Sequence, residues 1–401
     1  MAGAAAAAPG RPEPSPGRAM GMALAAQVAA ILPVFLMGAL GPFVIVDVGL
    51  TAFAFGALFA AFYGSAAFAS LVLAPRADRA GVWRLVRVAL VGTSLVALAL
   101  ATVANGAAPL FALMIGAGLA NGTVQPATNV VVARYVPTRR QGFAFGLKQS
   151  AIPAATLIGG AAVPLIGATL GWRWSFAAAA LLALAVAAST PGDGARRTWA
   201  ERGSVQLPPR ALLLALAATM AIGAACANAM AAFVSVSIVE SGHSPSSAGI
   251  AILLGSVASI TVRIALGLAA DRWPLPLLRI ASGLILGGVL AHLALGFGSA
   301  LWVLVLGTVA AFALGWGWSG ILLLAVLRLS PGAVGRATGA THSGVFIGAV
   351  LGPLCFGLIA DLHGFPAAWV ALAALGTCGA ALAWFVAALV GRDREQRSLS
   401  C

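Results

Sequence analysis

Ala74-Pro75-Arg76-Ala77-Asp78-Arg79-Ala80-Gly81-Val82-Trp83-Arg84 is a short polar interval between two long apolar runs. A second Asp-Arg pair, in Gly267-Leu268-Ala269-Ala270-Asp271-Arg272, stands 193 residues further on. The same offset carries Gly142, Gly146 and Ser150 onto Gly335, Gly339 and Ser343. It also carries Asp47-Val48-Gly49 onto Glu240-Ser241-Gly242, Gly122 onto Gly315 and Gly171 onto Gly364, without a gap. Only 8% of the chain is charged, so an Asp-Arg pair repeated in such a register is not a product of composition. The chain reads as two related halves in the same orientation.

The rest of the composition says what the halves are made of. The chain is 61% hydrophobic with a mean hydropathy of +1.02, where soluble chains are about 45–50% apolar and about 25% charged. Pro, Gly and charge clusters divide it into twelve apolar spans, near 20–46, 51–74, 85–105, 109–133, 142–170, 172–190, 211–239, 246–270, 277–298, 301–327, 335–361 and 365–390. Each approaches or exceeds the ~20 residues that cross a bilayer core. The fold class is therefore an all-α membrane protein of twelve transmembrane helices in two six-helix pseudo-repeats. The expected organisation is a disordered cytoplasmic tail over 1–19, a first bundle over 20–190, a linker over 191–210, a second bundle over 211–390 and a tail over 391–401. Parallel repeats of membrane helices are a way of building transporters.

The net charge of +13 belongs to topology. Of 23 Lys and Arg, 20 fall on one side if the N-terminus is cytoplasmic; the exceptions are Arg173, Lys148 and Arg263. The positive-inside rule then places both termini in the cytoplasm of a bacterial-type inner membrane. No basic, aromatic-interleaved soluble segment exists, so nucleic acid is not an expected partner. Cys226, Cys355, Cys378 and Cys401 show no metal or disulfide spacing. The first apolar run has full transmembrane length, so no cleavable signal peptide is expected.

Asp-Arg-x-Gly after the second span, echoed after the eighth and by Gly357-Leu-Ile-Ala-Asp361-Leu-His-Gly364 at the end of the eleventh, resembles the major facilitator superfamily of secondary transporters. Gly171-Trp172-Arg173-Trp174 and the long central loop support the resemblance, which covers the chain beyond its N-terminal tail. Ala74 in place of the usual Gly, and Val82-Trp83 in place of a basic pair, depart from the pattern. The resemblance implies a gating role for Asp78, Arg79, Gly81, Asp271 and Arg272. On physical grounds, a carboxylate at a cytoplasmic helix end can sit against a facing helix N-terminus or pair with a loop arginine. Asp78 would face Gly335 and Arg336, and Asp271 would face Gly142; Arg134 belongs to the same basic surface. Simple topology-setting charge is the alternative.

Lys148 and Arg263 are the sharpest functional signal. Each lies about 12 Å inside the cytoplasmic boundary at ~1.5 Å per helical residue, where an uncompensated cation costs roughly 2.5–3.5 kcal/mol on insertion scales. All ten acidic residues fall in tails, loops or span ends, so an anionic substrate would supply the missing charge. The alternative is snorkelling or bonding to backbone carbonyls. Asn121, Gln125 and Thr128 share a face of span 4, and Ser256, Ser259 and Arg263 share a face of span 8. Asn228, Gln149, His342, Trp316, Trp318 and Ser319 add polar groups. The resemblance implies that spans 1, 4, 7 and 10 surround the central path, with 2, 5, 8 and 11 contributing. For each group the alternative is interhelical glue, worth about 0.6 kcal/mol, and for Trp it is packing. His342, which matches Gln149 across the repeat, can also carry a proton.

No cluster of His, Cys and carboxylate, no phosphate-cradling loop and no nucleophile elbow occurs, so an enzyme is not expected, and neither is a cofactor. The expectation is a monomeric secondary or facilitative transporter (a symporter or other permease) that works by alternating access. Its substrate is a small molecule, first an organic or inorganic anion, with protons as an open coupling partner. Efflux of apolar or neutral drug-like compounds is the second transport reading, and a transporter-like sensor that moves nothing is the reading from another class.

Overall fold

A computed structural model of the chain describes residues 14–136, 147–192, 209–330 and 334–399. The regular structure there is helical. Span 1 is Pro16–Ala39, continued past Leu40 by Gly41–Val48. Spans 2, 3 and 4 are Ala52–Ala80, Val82–Thr102 and Ala107–Tyr135. Span 5 turns at Ser150, runs as Ala151–Ala162 and ends in the π-turn Val163–Gly167. Spans 6 to 9 are Trp172–Ser189, Arg210–Glu240, Pro245–Arg272 and Leu277–Phe297. Span 10 is Leu301–Ala310, a π-turn Ala311–Gly315 and Trp318–Leu329. Spans 11 and 12 are one run, Val334–Leu399, divided at Gly364. Its apolar portion, Gly339–Gly391, is 53 residues long, about 80 Å of helix against a core of about 30 Å, and so crosses twice.

Helix extends into both expected tails. Helix begins at Pro16, inside the tail expected over 1–19, because Ser15 caps it by accepting from Arg18 N–H and Pro occupies the first turn. At the other end helix persists to Leu399 through the tail expected from 391, a segment with no Gly or Pro after Gly391. Residues 193–208 of the expected linker lie outside the described residues, and Arg210 already belongs to span 7.

The 193-residue offset is written in backbone angles. Positive φ occurs at Gly49, Gly81, Gly171, Gly242 and Gly364 among the described residues. Gly49 and Gly242 (φ 72 and 87) are one offset pair, and Gly171 and Gly364 (φ 99 and 82) are another. Side chains rarely adopt this region, which explains why these glycines survive between halves that otherwise differ.

Both ends of the chain's helices lie toward one end of the bundle, the proximal end. At the distal end a single apolar core draws on both halves, with Phe35 of span 1, Phe59 of span 2, Phe233 of span 7, Ile252 of span 8, Phe312 of span 10 and Phe356 of span 11. Toward the proximal end it gives way to cores that each belong to one half, the two larger of which divide the bundle. One holds Ala23, Trp83, Val124 and Ala183 of the first half; the other holds Leu216, Ile285, Ile321 and Ala380 of the second. Polar ties join the halves distally: Ser235 donates to Ala39 O at 2.8 Å, the Thr156 and Ser256 hydroxyls meet at 2.7 Å, and Asp361 of span 11 caps span 2. Helix backbones touch there too; a Cβ on Gly56 would collide with Pro353 O.

Candidate functional site

A cavity lies where the shared core ends and the halves separate. Its wall comes from seven spans: Ile31 and Phe35 of span 1, Tyr63 of span 2, Asn121 and Gln125 of span 4, and Gln149 and Ile152 of span 5. The second half adds Met220, Ala224 and Asn228 of span 7, Trp316, Trp318, Ser319 and Leu323 of span 10, and His342, Val345, Phe346 and Ala349 of span 11. Span 8 contributes no lining side chain among the described residues. Phe35 and Trp316 meet edge-on with ring centroids 5.7 Å apart and belong to the shared core, so they floor the cavity on its distal side. Trp318 and Met220 belong to the second half's own core.

Eight of the residues singled out from the sequence line this cavity: Asn121, Gln125, Gln149, Asn228, Trp316, Trp318, Ser319 and His342. Gln149 and His342 are an offset pair, so the duplication places one polar group from each half on the wall. Two amides are held by neighbours. Gln27 Nε2 donates to Asn121 Oδ1 at 3.2 Å, and Thr128 Oγ1 donates to Gln27 Oε1 at 3.3 Å, tying span 1 to span 4. Asn228 Nδ2 donates to Ala224 O at 2.8 Å within span 7. These bonds orient the amides toward the cavity at little conformational cost when a ligand arrives.

Lys148 and Arg263 stand one layer behind the wall. Lys148 is only 5% exposed. Its Nζ donates to Gln125 O at 3.0 Å and to Asn129 Oδ1. Arg263 is 9% exposed. It donates from Nη2 to Trp316 O at 2.8 Å, from Nη1 to Gln149 O at 3.4 Å and from Nε to Ser259 Oγ at 3.4 Å. Every acceptor is a neutral oxygen, and three are carbonyls of cavity-lining residues. The two cations therefore do not lie side by side on one cavity surface; they flank the wall from spans 5 and 8. Carbonyl bonding solvates them in place of water, and no carboxylate neutralises them among the described residues.

The loop residues fare unequally. Gly81, with φ 84, ends span 2 and starts span 3. The side chains of Asp78, Arg79 and Arg336, and all of Gly142, lie outside the described residues. Arg134 stands in the last turn of span 4 and Arg272 in the last turn of span 8. Asp271 and Arg272 are exposed and have no ion-pair partner among the described residues. Phe35, Tyr63, Met220 and Phe346 line the cavity without having been singled out. Tyr63, one of two tyrosines and set inside a span, was the available signal.

Comparison with known proteins places this architecture. A model of the Major Facilitator Superfamily matches residues 20–303 and 215–399. A chloramphenicol resistance protein of Streptomyces lividans is 30% identical over 343 residues, 80% of this chain and 83% of that protein. A gallate transporter of Pseudomonas putida is 30% identical over 153 residues, 38% of this chain; the match spans only 34% of that relative's length. Among solved structures, a bacterial homologue of the human lysosomal transporter Spinster, inward-facing and unoccupied, aligns with a TM-score of 0.73 at 15% identity, covering 94% of this chain and 98% of that one. The nucleoside transporter NupG aligns with a TM-score of 0.71 at 13% identity, covering 91% and 99%.

Proposed function

The chain belongs to the Major Facilitator Superfamily, and from that premise we propose that it carries a small organic anion with an apolar, ring-sized body by alternating access. One observation carries the proposal: a cavity walled by aromatic rings and amides has two buried cations behind it that only neutral oxygens contact. Across one layer of side chain, about 8 Å, two unit charges at an effective dielectric near 20 still interact by ~2 kcal/mol. An anion entering the cavity gains from both cations without stripping either of its carbonyl bonds. Asn121, Gln125, Gln149 and Asn228 orient it by hydrogen bonds, and Phe35, Trp316 and Tyr63 receive its body.

The arginine distribution puts both termini on the cytoplasmic side of an inner membrane, so the described state opens to the cytoplasm. Asp78 and Asp271, with Arg79, Arg272, Arg134 and Arg336, govern closure of that end. Proton coupling runs through the substrate's own titration or through His342, and the transporter acts as a monomer. Gallate, the substrate named for one relative, is an aromatic carboxylate and fits this reading.

A second reading, export of neutral amphipathic compounds, is favoured by the absence of any charged side chain from the described wall and by the relative named for chloramphenicol resistance. Counterflow in proteoliposomes separates the two. Vesicles loaded with unlabelled gallate accumulate labelled gallate if the anion reading holds. Accumulation of labelled chloramphenicol with none of gallate would establish the second reading. Binding of either compound without counterflow would point to a sensor.

A further inference from the structure

Two of the spans around the cavity are broken where they reach it. Span 5 turns at Ser150, the cap residue before Ala151–Ala162, and span 10 resumes after its π-turn with Gly317 as the cap before Trp318–Leu329. A cap residue's carbonyl accepts the first bond of the helix that follows. The carbonyls one residue earlier, those of Gln149 and Trp316, therefore stand outside both following ladders. One guanidinium serves both: Arg263 Nη2 reaches Trp316 O at 2.8 Å and Nη1 reaches Gln149 O at 3.4 Å, while Nε holds Ser259 one turn back. Gln149 belongs to the first half of the chain and Trp316 to the second, and both side chains line the cavity.

A planar fork of five N–H groups can hold two separate carbonyls at once, whereas an ammonium is a point donor on a flexible stem. A role for charge alone would not require contact with two helix breaks in different halves. We infer that Arg263 is a positioning residue for transport: its fork sets the register between the break in span 5 and the break in span 10. A substrate that moves Gln149 or Trp316 thereby acts on the contact between the halves. Helix breaks at a transport site supply the movable elements, and a shared guanidinium makes two of them move together. The inference rests on the transporter reading and not on which solute is carried.

Arg263→Lys keeps the charge and loses the fork; Arg263→Gln loses the charge. Spin labels at Leu170, at the distal end of span 5, and at Leu301, at the distal start of span 10, report the register in full-length protein with its native cysteines replaced. The expected result is one narrow distance distribution with Arg263 and a broadened or doubled one in both variants, with melting temperatures within a few degrees of the parent. With labelled gallate as probe, the exchange rate falls at least ten-fold in both variants; Arg263→Lys, which keeps the charge, holds the half-saturating concentration within about two-fold, whereas Arg263→Gln, which loses it, raises that concentration as well. If Arg263→Lys retains the parent distribution and exchange rate, the fork is not what matters and the inference is overturned. Should Arg263→Gln fail to fold, Arg263→Lys alone decides. Absence of gallate exchange in the parent protein counts against the proposed substrate class, while the distance measurement still tests the fork.

Discussion

Asp361 at the distal end of span 11 accepts a hydrogen bond from the backbone N–H of Phe53 at 2.8 Å, in the first turn of span 2. Its other oxygen takes Ala52 N–H at 2.9 Å, and Thr51 Oγ1 takes Ala54 N–H at 3.1 Å. Three of the donors that a helix start leaves unpaired are thus satisfied, two of them by the opposite half of the chain. The carboxylate also faces the positive end of the span 2 dipole. This is the contact that the string Gly357-Leu-Ile-Ala-Asp361 makes, at the end of the bundle opposite Asp271, which has no ion-pair partner among the described residues. The distal end is latched in this state.

Asp361→Asn should loosen that latch. A hydrogen bond to a charged group contributes about 1.5–3 kcal/mol, so the variant should shift the balance between distally closed and distally open forms by roughly ten- to a hundred-fold. Spin labels at Val46 and Leu362, both exposed near the distal surface, read it as a new long-distance population. An unchanged distribution would mean that apolar packing alone closes this end.

Gly364 and Gly92 should respond to alanine in opposite directions. Gly364, with φ 82 and ψ 165, occupies a region open to glycine and little else. Strain there costs on the order of 1–3 kcal/mol, so Gly364→Ala should lower the melting temperature. Gly92 lies within span 3 with nothing within 4 Å of an added Cβ. Gly92→Ala gains up to ~1 kcal/mol of helix propensity and should leave the melting temperature equal or higher. A fall for both would remove the link between the offset glycines and backbone angle.

Arg173, the basic residue expected on the far side of the membrane, pairs with Asp47 at 2.7 Å and lies over the Trp172 ring at 4.4 Å. The side chains are 33% and 44% exposed. Pairs so open to solvent are worth about 0–1 kcal/mol, and screening weakens them further. Arg173→Lys should therefore shift the melting temperature by no more than a few degrees at low salt and less at high salt. A large, salt-independent loss would show that the stacking and the bonds to Ala104 O and Asn105 Oδ1 dominate.

The duplication was legible in the sequence because glycine at positive φ and carboxylates at helix ends leave a composition signature. The paired positive φ values of Gly49 with Gly242 and of Gly171 with Gly364 show what that signature stands for. Burial was also legible, since Lys148 and Arg263 sit well inside apolar spans and are 5% and 9% exposed. Their azimuth was not: eight residues from a boundary sets a height, while the side chain's direction depends on which neighbouring carbonyl is free. Hydropathy hid the break at Trp316, since Leu301–Leu329 reads as one apolar run. The partner of Asp361 lies 308 residues away in the chain and has no local mark.

The central claim is that the two cations behind the wall favour an anion, and Lys148→Gln tests it most directly. Gln keeps a donor for Gln125 O and Asn129 while removing one charge. Gallate exchange should then need at least a ten-fold higher half-saturating concentration, the equivalent of ~1.4 kcal/mol, with chloramphenicol binding changed by less than about three-fold. Equal gallate half-saturation in the parent and Lys148→Gln proteins would contradict the account.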